Sequence, residues 1–293
     1  MSIAHNGPMD LYYESHGDPT NPTVLLIQGF TAQLVNWNPG LIDTYVERHL
    51  HVVMMDNRDV GMSGRHTGPE PYRFGDLAND VIAVADDLGL DTFHVLGCSM
   101  GGMVIQQVLM DHRERVASAT LYFTTPSLAK EWRRDPDDDS GTTSGTAAEP
   151  TREQAIAKFV DRETMCGSRD YPFDRERARE LGALTYDRGY SPEGWQRQAQ
   201  AMAGFSADER LLNTVTVPCA IYHGTADRFF HQRAAIRLHE MLPTSELHIM
   251  PGLGHELVPP LWDFYADGLA RLVRRAEYGP SYVALETVRT AHA

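Results

Sequence analysis

The stretch Val95-Leu96-Gly97-Cys98-Ser99-Met100-Gly101-Gly102-Met103 constrains this chain more than any other. Before it, Thr92-Phe93-His94-Val95-Leu96 is apolar and β-favouring, as a buried strand requires. After it, Met103, Val104, Ile105, Val108 and Leu109 recur at helical spacing. Gly97-Cys98-Ser99-Met100-Gly101 is therefore expected at a strand-to-helix turn, the setting in which G-x-S-x-G lifts a serine hydroxyl above a sheet edge. Ser99 is expected to hold a strained backbone. A Cβ at 97 or 101 would crowd the turn, and Gly102 lets the following helix start close to the sheet. The helix N-terminus beneath the serine favours developing negative charge. A chance glycine turn explains the five residues alone, but not the strand and helix around them.

The rest of the chain repeats the strand–helix alternation. Met9-Asp10-Leu11-Tyr12-Tyr13-Glu14 reads as a strand, and Thr23-Val24-Leu25-Leu26-Ile27 as one buried on both faces. Residues 41–50 suit a helix and 51–55 the next strand. Leu77, Val81, Val84, Ala85 and Leu88 share one helix face, stopped by Gly89. Further strands are expected at 117–123, 217–224 and 246–250, and helices near 232–241 and 262–274. Alternation of this kind predicts an α/β fold, a mostly parallel sheet covered by helices on both faces. Between 126 and 210 no strand signal occurs, so this part is expected to be a helical cap inserted over the sheet. The run 135–146 within it is polar and of low complexity, expected to be a mobile connector. The division is thus 1–125 first core part, 126–210 cap, 211–276 second core part and 277–293 a tail without pattern.

Composition excludes several function classes. The net charge of -14 argues against nucleic acid or an anionic membrane surface as partner. The three cysteines, Cys98, Cys166 and Cys219, lack C-x-x-C spacing, which disfavours a disulfide framework or a metal site. The first residues have neither a basic flank nor an apolar run, and no segment matches a membrane span, so a cytoplasmic location is expected.

A serine hydroxyl needs an adjacent base, and the base needs a buried carboxylate that fixes its tautomer. Thirteen histidines are present, so position must choose among them. In open parallel sheets reactive groups sit on loops beyond the carboxyl ends of strands. Asp227 lies on such a loop in Gly224-Thr225-Ala226-Asp227-Arg228, and His255 in Gly252-Leu253-Gly254-His255-Glu256. Helix-cap or turn roles would be the bland account of either. His94, His223 and His248 fall inside strands and read as structural. Glu256 adjoins His255, but chain neighbours rarely face each other. For an oxyanion hole, the Met100 N–H and the Phe30 N–H are the candidate donors, with Gly29 allowing close approach of substrate.

These motifs resemble the α/β-hydrolase superfamily over nearly the whole chain except the tail. They are Gln28-Gly29-Phe30, Asp56-Asn57-Arg58-Asp59-Val60-Gly61-Met62-Ser63, Gly97-Cys98-Ser99-Met100-Gly101-Gly102, Asp227, and Gly252-Leu253-Gly254-His255. The Asn-Arg-Asp-Val-Gly-x-Ser form resembles bacterial carboxylesterases close to the aclacinomycin methylesterase group. The resemblance implies an α/β-hydrolase fold and cofactor-independent hydrolysis of a small-molecule ester or lactone through an acyl-enzyme, with Ser99, Asp227 and His255 as the triad. The 56–63 loop is mostly architectural in such proteins. Relatives more often carry His-Gly where this chain has Gln28-Gly29. Superfamily members that open epoxides or remove halides use Asp at the elbow, and Ser99 argues against those reactions. Acyl transfer, perhydrolysis, C–C bond hydrolysis and slow-turnover ligand binding remain open alternatives. Among the aromatic residues of the cap, Trp195 and Met202 are expected to form part of the apolar wall facing the substrate.

Overall fold

In the computed structural model, which describes residues 2–135 and 150–279, eight strands form one sheet in the order β1-β2-β4-β3-β5-β6-β7-β8. They are β1 (Ser2–Asn6), β2 (Met9–His16), β3 (Thr23–Ile27), β4 (His51–Met55), β5 (Phe93–Cys98), β6 (Val116–Tyr122), β7 (Cys219–Gly224) and β8 (Ser245–Met250). From β4 to β8 every neighbour is parallel, while β1 pairs with β2 and β2 with β4 antiparallel. The carboxyl ends of β3 through β8 therefore open on one edge.

β1 is the strand that periodicity misses. It is an edge strand whose only buried residue is Ala4, so almost no apolar signal marks it. Gly7, at φ 58°, turns it into β2.

The central strands bury both faces, as their continuous apolar runs demand. Along β3, Leu25 and Ile27 pack on one side, against residues such as Val81 and Val104 of α2 (Phe74–Asp87) and α3 (Met100–Asp111). Val24 and Leu26 face the other side, with Tyr45 of α1 (Pro39–Val46) and Tyr265 of α9 (Trp262–Tyr278). Period-2 alternation thus assigns each residue to one of two cores.

Between β6 and β7 the chain forms α4 (Arg152–Cys166), α5 (Arg175–Gly189), α6 (Pro192–Ala203) and the short α7 (Glu209–Leu212), with α8 (Arg233–Met241) following β7. α7 crosses the boundary expected at 210, and its Leu212 joins the sheet core. Apart from Asp135, the polar run expected to be mobile lies outside the described residues. So does the tail after Gly279; helix α9 itself continues to Tyr278. No helix among the described residues is long and apolar enough to cross a membrane.

Candidate active site

β5 delivers Ser99 at the sheet edge with φ 53° and ψ -117°. A non-glycine residue there costs about 1–3 kcal/mol and persists only when its surroundings enforce it. Here the Ser99 N–H donates to the Tyr122 carbonyl at 3.0 Å, and the Ser99 carbonyl accepts from Thr124 Oγ1 at 2.7 Å. The turn closes only without side chains. A Cβ on Gly97 would stand 2.6 Å from the Gly101 carbonyl carbon, and one on Gly101 would collide with the Ile27 carbonyl oxygen.

β7 and β8 bring in the two partners. His255 Nδ1 lies 2.8 Å from Asp227 Oδ2. The other oxygen, Oδ1, accepts from the N–H groups of Phe229 at 2.7 Å and Phe230 at 3.0 Å. Asp227 is buried, which pushes its carboxyl up. The neighbouring His255, His223 and the Phe230 N–H outweigh that and hold it below the usual carboxylate range. A carboxylate at Nδ1 fixes the tautomer that leaves Nε2 free to take a proton. The His255 ring packs among Phe123, Phe229 and Phe230 at centroid distances of 4.5, 4.8 and 5.8 Å.

The competing residues have other partners. His223 is fully buried, with Nε2 3.2 Å from the Phe230 carbonyl and 3.5 Å from Asp227 Oδ2. It lies behind the carboxylate, and burial lowers its basicity. His94 contacts Ser118 and Glu277, and His248 stacks on Tyr222. Glu256 accepts from the Ser168 N–H at 2.6 Å.

Beyond β3, Gly29 brings the 28–30 loop against the elbow: a Cβ there would lie 3.2 Å from Ser99 Cβ. Its smallness therefore admits the serine itself, not only a ligand. The Phe30 N–H has no hydrogen-bond partner among the described residues. Met100 opens helix α3, so its N–H is one of the first-turn donors without an intrahelical acceptor.

Ser99, Gly29, Phe30 and His255 border one cavity of about 440 Å³. The Ser99 hydroxyl has no hydrogen-bond partner among the described residues: the structure pairs His255 with Asp227 but not with Ser99, and Ser99 and His255 meet as neighbours on the border of this space. Helices α5 and α6 contribute Leu181, Ala199 and Met202, among others, to its lining. Trp195 does not border the cavity, contrary to expectation. It packs edge-on against Tyr190 at 4.7 Å, about two turns before Met202 in α6. Seven helical residues span about 10 Å, so Met202 reaches the cavity and Trp195 does not.

The insertion is tied to the core by polar contacts that sequence reasoning missed. Arg188 of α5 reaches the buried Asp56 at 2.8 Å, and Arg197 of α6 reaches Asp59 at 2.7 Å. Fully buried Gln198 accepts from the Thr31 N–H at 3.0 Å and donates to the Arg58 carbonyl at 3.2 Å. The end of α4 and the residues just after it hold the His255 loop: the His255 N–H donates to the Cys166 carbonyl at 2.8 Å, and the Gly254 N–H to Ser168 Oγ at 2.8 Å. The 56–63 loop thus anchors the insertion as well as shaping the sheet edge.

Comparison with known proteins follows the same lines. The family model described as alpha/beta hydrolase fold matches residues 22–259. The putative carbamate hydrolase RutD of Caulobacter sp. (strain K31) is 28% identical over 258 residues, 85% of this chain and 91% of that protein. Rhodomycin D methylesterase DnrP of Streptomyces peucetius is 32% identical over 117 residues, 40% of this chain and 39% of its own length. Among solved structures, a putative aryl esterase from Burkholderia cenocepacia superposes with a TM-score of 0.76 at 19% identity, covering 94% of this chain and 98% of that one. The sheet order, the strained serine turn and the span of the family match agree, and this chain belongs to the alpha/beta hydrolase family.

Proposed function

We propose that this protein is a serine esterase that cleaves a small or medium carboxylic ester through an acyl-enzyme. The observation that carries the reading is the strained Ser99 opening into the same cavity as a histidine whose Nδ1 is engaged by a buried carboxylate. Ser99 Oγ attacks the ester carbonyl carbon while its proton passes to His255 Nε2. Asp227 steadies the imidazolium. The carbonyl oxygen becomes an oxyanion held by the Phe30 and Met100 N–H groups. His255 then returns the proton to the departing alcohol, and water attacks the acyl-enzyme by the reverse path.

The inserted helices act as a cap that sets substrate choice, because Met202 and its neighbours form the cavity roof. A volume of about 440 Å³ suits a small molecule. The names of the methylesterase and aryl esterase relatives support an ester substrate. The relative named a putative carbamate hydrolase, which aligns over 85% of this chain, favours assaying a carbamate beside the esters. The test is pre-steady-state kinetics with a chromogenic ester in excess over the protein. A burst of one alcohol per active site, followed by slower acid release, is the expected result. Absence of turnover on every ester and carbamate tried would count against the reading.

A further inference from the structure

Gln28 is the first residue beyond β3, buried except for 8% of its surface, and it borders the cavity. Its backbone carbonyl is fixed by Asn57 Nδ2 at 3.0 Å. Its side chain folds forward so that Oε1 accepts from the Gly29 N–H at 3.2 Å. Only an oxygen can face that donor, which settles the orientation of the amide. The Nε2 group is then left over. It has no hydrogen-bond partner among the described residues and keeps some accessible surface, on a residue that borders the cavity. A brace for the turn needs the oxygen alone, and a nearly buried amide rarely leaves its donors unused. The place matters as much as the donor. Gly29 touches the elbow so closely that a Cβ on it would lie 3.8 Å from Ser99 Oγ. An amide folded on the Gly29 N–H therefore belongs to the loop that meets the elbow, on the border of the same cavity as Ser99.

We propose that Gln28 is a specificity-determining residue whose Nε2 donates a hydrogen bond to an acceptor oxygen carried within two bonds of the scissile carbonyl. The substrate class is then esters of 2-oxy or 2-oxo acids rather than plain alkanoates. The proposal rests on Ser99 being the nucleophile. A site built around such a donor penalises an analogue that lacks the acceptor, since the amide is then desolvated without a partner.

The test uses 4-nitrophenyl methoxyacetate and 4-nitrophenyl butanoate, which differ by one ether oxygen in place of a methylene. Their intrinsic reactivities cancel when each variant is compared with the parent protein. Gln28→Glu keeps an acceptor for the Gly29 N–H and removes the donors; Gln28→Leu removes both. The expected result is that both variants lower the ratio of kcat/KM for methoxyacetate over butanoate by about tenfold. Equal losses on both esters would make Gln28 a turn brace or an oxyanion donor, and no change would make it a bystander; either overturns the proposal. A second measurement separates this from the esterase reading. Methoxyacetanilide and butyranilide are titrated calorimetrically into Ser99→Ala, with and without Gln28→Glu. Tighter binding of methoxyacetanilide that Gln28→Glu abolishes supports the donor even if no ester is cleaved. Equal binding of the two anilides overturns it even if esters are cleaved.

Discussion

Arg197 on α6 grips Asp59, in the loop after β4, with two parallel hydrogen bonds: Nε to Oδ2 at 2.8 Å and Nη2 to Oδ1 at 2.7 Å. Fork-to-carboxylate pairing fixes direction as well as distance. Burial pushes the Asp59 carboxyl up, but Arg197 and the His66 N–H hold it below its ordinary value. The helix carrying Met202 is thereby oriented over the cavity by a loop from the sheet edge.

Removing Arg197 should therefore destabilise the protein and disturb the roof. For Arg197→Leu we expect a loss of about 1–3 kcal/mol, the cost of leaving a buried acceptor unpaired. Urea denaturation measures it. Adding Asp59→Asn should recover part of the loss, and a double variant no better than the single would contradict the pairing.

Ser99→Ala should abolish ester turnover, by at least ~10³-fold in kcat, while the fold remains. The checks are steady-state kinetics and a thermal melt on the same preparation. A folded Ser99→Ala protein with near-parental activity would end the hydrolase reading.

Losses within the triad should not add. We expect His255→Ala combined with Ser99→Ala to be little worse than Ser99→Ala alone, since the members of a triad act as a unit. His223→Ala is the control. If it alone abolished turnover while His255→Ala did not, the base would be misassigned.

The two residues singled out on α6 should now separate. Met202→Ala is expected to change the ratio of kcat/KM between a short-chain and a bulky ester, because discrimination is differential transition-state binding. Trp195→Ala should leave that ratio unaltered and lower the melting temperature through lost packing on Tyr190. Equal behaviour of the two variants in both assays would refute the distinction.

Stability should depend on Asp227 in a defined acid range. Its folded-state carboxyl titrates below the ordinary value, so the folded chain releases this proton more readily than the unfolded one. The resulting stabilisation is full above about pH 4, where the unfolded group is ionised, and is lost as pH falls through the folded value. Asp227→Asn should remove that component. The stability gap between parent and variant, read by denaturation at successive pH values, should be constant above about pH 4 and narrow below it. A gap that widens on acidification would show the opposite sign.

The sequence alone determined the local chemistry. The glycines of 97–102 specify a turn only glycine can close, and the apolar runs of β3 and β5 specify strands buried on both faces, because these are short-range steric and periodic effects. The order Ser99, Asp227, His255 followed, since each lies just beyond a parallel strand. Weak periodicity hid β1, which buries only Ala4. What tertiary structure decided was everything that depends on distant segments meeting. Arg197 and Asp59 are 138 residues apart, and nothing local marks either as the other's partner. Trp195 and Met202 share a face by helical spacing, yet only the docking of α6 on the 56–63 loop selects which one borders the cavity. The Gln28 amide likewise acquired a direction only when the Gly29 N–H claimed its oxygen and left its nitrogen without a partner among the described residues.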